Sequence, residues 1–152
     1  MGFTYKLVGP SELPTFKALL AVFGEAFGEP DTYGARVPSD AYLRDLLGMP
    51  HFFALAALAG DEVVGGLCAY ELQKFEQERS EIYIYDLAVL EGHRRKGVAT
   101  GLIRELQRIA RERGAYIIFV QADPPDEPAI RLYTSLGTRE DVLHFDIPVD
   151  EP

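Results

Sequence analysis

The chain is short of cysteine, of positive charge and of long apolar runs. Its one cysteine, Cys68, excludes an intrachain disulfide. Cys68 sits in the strand-like run 63–70, where a free thiol packs as a small buried hydrophobe, so we expect no nucleophile there. No His/Cys cluster has metal spacing, and no metal is expected. Fifteen Lys and Arg against 24 Asp and Glu leave a formal net charge of −9. That balance argues against general binding to nucleic acid or to an anionic membrane. No stretch approaches the roughly 20 apolar residues of a membrane span. The first ten residues lack a basic segment leading into an apolar one, so we expect no signal peptide and a cytoplasmic protein. Two nucleotide motifs are also missing. Gly-x-Gly-x-x-Gly does not occur, which removes a Rossmann site. Gly92 and Gly97 have the Walker spacing, but Val98 stands where the lysine must be.

What is present suits one α/β domain spanning 1–152, with 47% apolar and 26% charged residues. Strands are expected at 3–8, 52–58, 63–72, 81–89, 115–121 and 141–148, and helices at about 14–27, after Ser39, from about Ala99 to Gly114, and from Pro128 to Gly137. Ala59-Gly60-Asp61-Glu62 reads as a hairpin turn and 29–38 as a polar loop. Strand 115–121 reads as buried. In the last strand, Leu143, Phe145 and Ile147 face one way and His144 and Asp146 the other.

The charge is unevenly placed. Residues 94–113 hold seven of the 15 basic residues and two of the 24 acidic ones. Solvated helix faces account for several of these arginines. They account less well for Arg94-Arg95-Lys96, which with Gly97 sit where a strand turns into a helix. Backbone N–H groups at a helix start are free to bind an anion, and the dipole favours it.

Arg94-x-x-Gly97-x-Ala99 resembles the pyrophosphate-binding loop of the GCN5-related N-acetyltransferases, and Ala129-x-x-Leu132-Tyr133-x-x-x-Gly137 resembles a second signature of that family. Segments 74–77, 79–89, 120–123 and 144–146 look like the aminoglycoside 3-N-acetyltransferases of the gentamicin type. The resemblance implies a mixed, mostly antiparallel twisted sheet flanked by helices, with a splayed parallel strand pair binding acetyl-coenzyme A. It implies that Arg94, Arg95, Lys96, Gly97, Val98, Ala99 and Thr100 cradle the diphosphate, that Leu87, Ala88 and Val89 pair with the pantetheine arm, and that Ala129 and Tyr133 lie beside the cofactor. The N–H of Leu87 would polarise the thioester carbonyl. A homodimer is a family-level expectation.

Tyr133 is the candidate acid, since the departing thiol has a pKa of about 8.5, below about 10 for tyrosine. Asp86 and Glu81 are the candidate bases for the amine proton; Asp86 interrupts an apolar strand just before Leu87 and is the preferred one. The acidic excess suits a cationic acceptor such as an aminoglycoside. Candidate contacts are Asp31, Tyr33, Tyr83, Tyr85, Asp86, Asp123, Asp126 and Asp146, with Glu29 beside them in the early loop. His144 reads as structural. The expected activity is direct acetyl transfer to the 3-amino group of a deoxystreptamine ring. The alternatives are acetylation of another polycation, a polyamine or a peptide amine, and a non-catalytic acyl-coenzyme A-binding module.

Overall fold

The computed structural model describes residues 2–34 and 37–150. The chain forms two compact units, 1–121 and 122–152. The first holds a five-stranded sheet in the order β1 (Thr4–Leu7), β2 (Phe52–Ala59), β3 (Glu62–Gln73), β4 (Ser80–Val89), β5 (Ala115–Val120). β1 to β4 pair antiparallel, while β4 and β5 run parallel. Four helices accompany it: α1 (Leu13–Ala26), α2 (Pro30–Gly34), α3 (Asp40–Leu47) and α4 (Val98–Arg113). The sheet class and the parallel pair are those the sequence led us to expect.

The helices form where the sequence gives them a start, a stop and one apolar face. Ser39 caps α3, its Oγ accepting from Tyr42 N–H at 3.2 Å. Along α4, Val98, Leu102, Ile103, Leu106, Ile109 and Ala110 are buried as a stripe, and Gly114 (φ +77°) stops the helix in the left-handed region that glycine favours. Its outer face is tied by Arg108 to Glu105 and Glu112, both at 2.7 Å.

The central strands β2 and β3 are buried on both faces over most of their length. Phe52, Ala54 and Ala56 of β2, with Cys68 of β3 and Ala88 of β4, join Phe16, Leu19, Val22 and Phe23 of α1 and Leu43 and Leu47 of α3 in one cluster. The alternate residues Phe53, Leu55 and Ala57 point the other way, where the Arg113 guanidinium at the end of α4 lies 5.2 Å from the Phe53 ring. α1 comes very close to the sheet at Gly66, where any Cβ would run into the Leu19 side chain of α1 and stand 2.5 Å from the Leu55 carbonyl oxygen of β2.

Three expectations fail. Residues 30–34 of the expected loop are a helix, while 35–36 lie outside the described residues. β5 is not buried: it is an edge strand, with Tyr116 and Ile117 about half exposed. Its apolar side chains suggested otherwise because edge position cannot be read from composition. The second unit contains α5 (Glu127–Leu136) but no strand at 141–148; there Leu143, Phe145 and Ile147 are exposed. Alternation shows a strand's two faces but does not supply the neighbour whose hydrogen bonds make one.

Candidate active site

β4 and β5 pair only from Ser80 to Ile84, where Ile84 stands opposite Val120. From Tyr85 onwards β4 continues beside β3 alone, and β5 has ended. Beyond β4, Leu90 N–H donates to Val64 O at 2.8 Å, which fixes which residues turn towards β3. Residue pairs in an antiparallel ladder alternate between bonded and unbonded. With Leu90 and Val64 bonded, Ala88–Gly66 is the next bonded pair, and Val89 and Leu87 direct their N–H and C=O to the side where β5 no longer runs. The Val89 carbonyl there is taken by Arg94, whose Nε donates to it at 2.9 Å. The Leu87 N–H faces the same side.

A bulge lies in β4 at the same place. Cys68 opposes Asp86 and Ala69 opposes Ile84, so Tyr85 is an extra residue. One inserted residue reverses the parity of all that follows. Ile82 and Ile84 are buried outside the α1/α3 cluster, whereas Ala88 belongs to it, and Asp86 now shares the face of Ala88 and Cys68. On that face Tyr33 of α2 donates its hydroxyl hydrogen to Asp86 Oδ2 at 3.1 Å. Burial pushes the Asp86 carboxyl above the usual carboxylate range; the Tyr33 hydrogen bond pulls against this and Glu29 adds to it.

Beside Asp86 runs a row of aromatic rings. Phe52 and Tyr70 are 5.2 Å apart, Tyr70 and Tyr85 6.1 Å, Tyr85 and Tyr83 5.7 Å, and Tyr83 stacks on Phe119 at 4.7 Å. Tyr83 also donates to Gln121 Oε1 at 3.1 Å. Tyr70, Phe52 and Phe119 were missed in the sequence; only strand register brings them next to the tyrosines of β4. Glu81 does not join Asp86. It lies five residues back, about 15 Å along the strand, where it accepts from Tyr116 at 3.2 Å and pairs with Lys74 at 3.5 Å. Asp31 is exposed on α2.

The loop before α4 alternates in handedness. Arg95 (φ +62°) and Gly97 (φ +82°) are both left-handed, which turns successive N–H groups towards one concavity. The first bond within α4 runs from Gly101 N–H to Gly97 O at 2.9 Å, and no side chain caps the helix. The N–H groups of Val98, Ala99 and Thr100 are therefore orphan donors. A Cβ on Gly97 would meet nothing within 4 Å, so the space before the helix is open. Among the described residues no ion pair joins Arg95 or Lys96. Two of the four helix arginines differ: Arg108 holds two glutamates, and Arg113 holds Glu71 at 2.5 Å and the Pro50 carbonyl at 3.0 Å. Arg104 bonds the neutral Gln107 at 3.0 Å. The loop's orphan donors and its two cations fit a diphosphate.

In the second unit, Asp126 caps α5, its Oδ1 accepting from Ala129 N–H at 3.3 Å. Asp146 pairs with His144 at 2.9 Å, and both are exposed, as is Asp123. Tyr133 is half-buried on α5; burial and the Asp126 carboxylate push its hydroxyl up to about 12. Among the described residues no three His, Cys, Asp or Glu side chains form a metal-ligand group. No described helix is long and apolar enough to cross a membrane.

Known proteins share this fold. An aminoglycoside acetyltransferase, HMB0005, from an uncultured soil metagenomic sample has a solved structure 58% identical to the chain, with a TM-score of 0.97, covering 99% of this chain and 100% of that one. A second soil metagenomic aminoglycoside acetyltransferase, meta-AAC0020, solved in complex with sisomicin, is 30% identical with a TM-score of 0.91 over 97% of each chain. The streptothricin acetyltransferase of Streptomyces lavendulae is 29% identical over 83% of this chain. The chain spans 60% of that relative's length and 40% of the rat N-acetyltransferase 8B, which is 27% identical over 89 residues. The profile of the acetyltransferase (GNAT) family matches residues 17–138, so by sequence and by fold the chain belongs to the acetyltransferase (GNAT) family.

Proposed function

We propose that the protein transfers an acetyl group from acetyl-coenzyme A to an aminoglycoside amine, at the 3-amino group of gentamicin-type acceptors, and that both units act together as one cytoplasmic acetyltransferase domain. The observation that carries this is the parting of β4 from β5 beyond Ile84, which leaves Leu87 N–H turned away from β3 and without a β5 partner, on the strand that leads into the anion cradle. The aminoglycoside acetyltransferases at 58% and 30% identity support the acceptor class. The 3-amino position rests on the resemblance of segment 79–89.

In this reading the diphosphate of the donor lies on the N–H groups of Val98, Ala99 and Thr100, with Arg95 and Lys96 beside it. Leu87 N–H holds the carbonyl oxygen as it becomes negative. Asp86 takes the proton that the acceptor ammonium must lose before its nitrogen can attack. A carboxyl raised by burial suits this task, because its proton affinity lies closer to that of the amine. Tyr133 hydrogen-bonds the departing sulfur. With a pKa of about 12 against about 8.5 for a thiol, Tyr133 keeps its proton through most of that step and acts as a hydrogen-bond donor. The aromatic row offers faces to sugar rings and ammonium groups.

Thiol release from acetyl-coenzyme A, followed in parallel with gentamicin, kanamycin, spermidine and a lysine peptide, tests the reading. Release with gentamicin and mass-spectrometric acetylation at the 3-amino group is expected. Release with spermidine or peptide alone overturns the acceptor, and release with none overturns the enzyme.

A further inference from the structure

Tyr33 is joined to the sheet and to α1 by separate contacts. Its ring lies 5.9 Å from both Phe23 and Phe27, which themselves stack at 5.8 Å. Its backbone is held by Glu29, whose N–H donates to Gly24 O at 2.9 Å, at the start of the α2 turn. Gly24 is what lets the ring come so near: a Cβ there would stand 3.3 Å from Tyr33 Cβ and 3.4 Å from Pro30 Cα. The phenol is thus clamped through its ring, and its only polar atom meets Asp86 Oδ2. An aromatic residue needed merely to fill this space could be phenylalanine, as at 23 and 27. The hydroxyl reaches a carboxylate that the bulge at Tyr85 has turned to this face.

We propose that Tyr33 is a positioning residue: its hydroxyl pins one oxygen of Asp86 so that the other is left to take the acceptor's proton. This rests on the reading of Asp86 as the base. Among the described residues, the groups that interact with Asp86 are Tyr33 and Glu29 from the α2 region, Cys68 and Tyr70 on β3, and Tyr83 on β4. All of them are acids or phenols. A neutral phenol that donates to Asp86 is therefore the contact that favours its anion, while burial and Glu29 oppose it.

The test compares Tyr33→Phe with Asp86→Asn in the full-length protein, using acetyl-coenzyme A and gentamicin from pH 5 to 9. Tyr33→Phe keeps the ring between Phe23 and Phe27 and deletes only the donor. Its kcat should fall about tenfold near neutrality, and the acidic limb of its pH profile should move up by about one pH unit, the size of one hydrogen bond to a charged group. The KM for acetyl-coenzyme A should stay as in the parent. An unmoved acidic limb, whether kcat falls or the KM for gentamicin rises, overturns the positioning role. Asp86→Asn reports on the base by itself: full activity there removes the base reading, while loss of activity with an unmoved limb in Tyr33→Phe removes only the role of Tyr33.

Discussion

Asp86 is a carboxylate placed where ionisation is costly, and two measurable effects separate its structural cost from its use. Replacement by Asn should lower kcat by about 100-fold or more, the usual worth of a general base, measured under saturating substrates. The same change should not destabilise the fold at neutral pH. The folded-state pKa of Asp86 is raised, so its contribution to stability is full at low pH and declines as pH rises through the folded value. Relative to the parent, Asp86→Asn should therefore gain thermal stability as the pH rises from about 3, below the ordinary carboxylate value of about 3.9, to neutrality; a Tm difference that stays constant over that whole range would show that Asp86 is not strained. For Tyr133, whose hydroxyl stands near 12, substitution by Phe should reduce turnover more than it weakens acetyl-coenzyme A binding, as compared by steady-state kinetics and calorimetry. Unchanged turnover would remove it from the reaction.

At the scale of elements, two glycines can be tested. Gly66→Ala puts a Cβ against the Leu55 carbonyl, between neighbouring strands that cannot separate without breaking the ladder. A loss of about 2 kcal/mol or more is expected in denaturant unfolding, as for other overpacked cores. Gly97→Ala meets no atom but imposes a side chain on a left-handed residue, at about 1–2 kcal/mol; its KM for acetyl-coenzyme A should rise more than its KM for gentamicin. Glycine at 97 before an apolar helical stripe was legible in the sequence, as were the hairpin at Gly60 and the Ser39 cap, because each is a local rule. The bulge was not legible. Nothing in Ile82-Tyr83-Ile84-Tyr85-Asp86 marks Tyr85 as the extra residue, and simple alternation puts Asp86 with the isoleucines. Arg95 in the left-handed region was equally silent, because glycine is the residue expected there. The Tyr33–Asp86 contact spans 53 positions and depends on α2, which reads as a polar loop.

Over the whole molecule, the net charge of −9 and the small cationic loop divide the work by sign. In the proposed reading an anionic donor meets Arg95 and Lys96, and a cationic acceptor meets the acidic remainder. Both attractions weaken with salt, since the screening length falls from about 8 Å to about 3 Å between 0.15 and 1 M. The KM of both substrates should therefore rise with ionic strength while kcat changes less; a salt-insensitive KM for gentamicin would show that charge does not recruit it. The bond from Arg94 to the Val89 carbonyl spans these two territories at their seam. One residue of the anion loop is fastened to the strand that carries Leu87, two positions away, so the loop and the strand cannot drift apart independently. In the proposed reading this bond works as a calliper: it sets the distance between the held diphosphate and the reacting carbonyl, and so selects donors by the length of the arm that joins them.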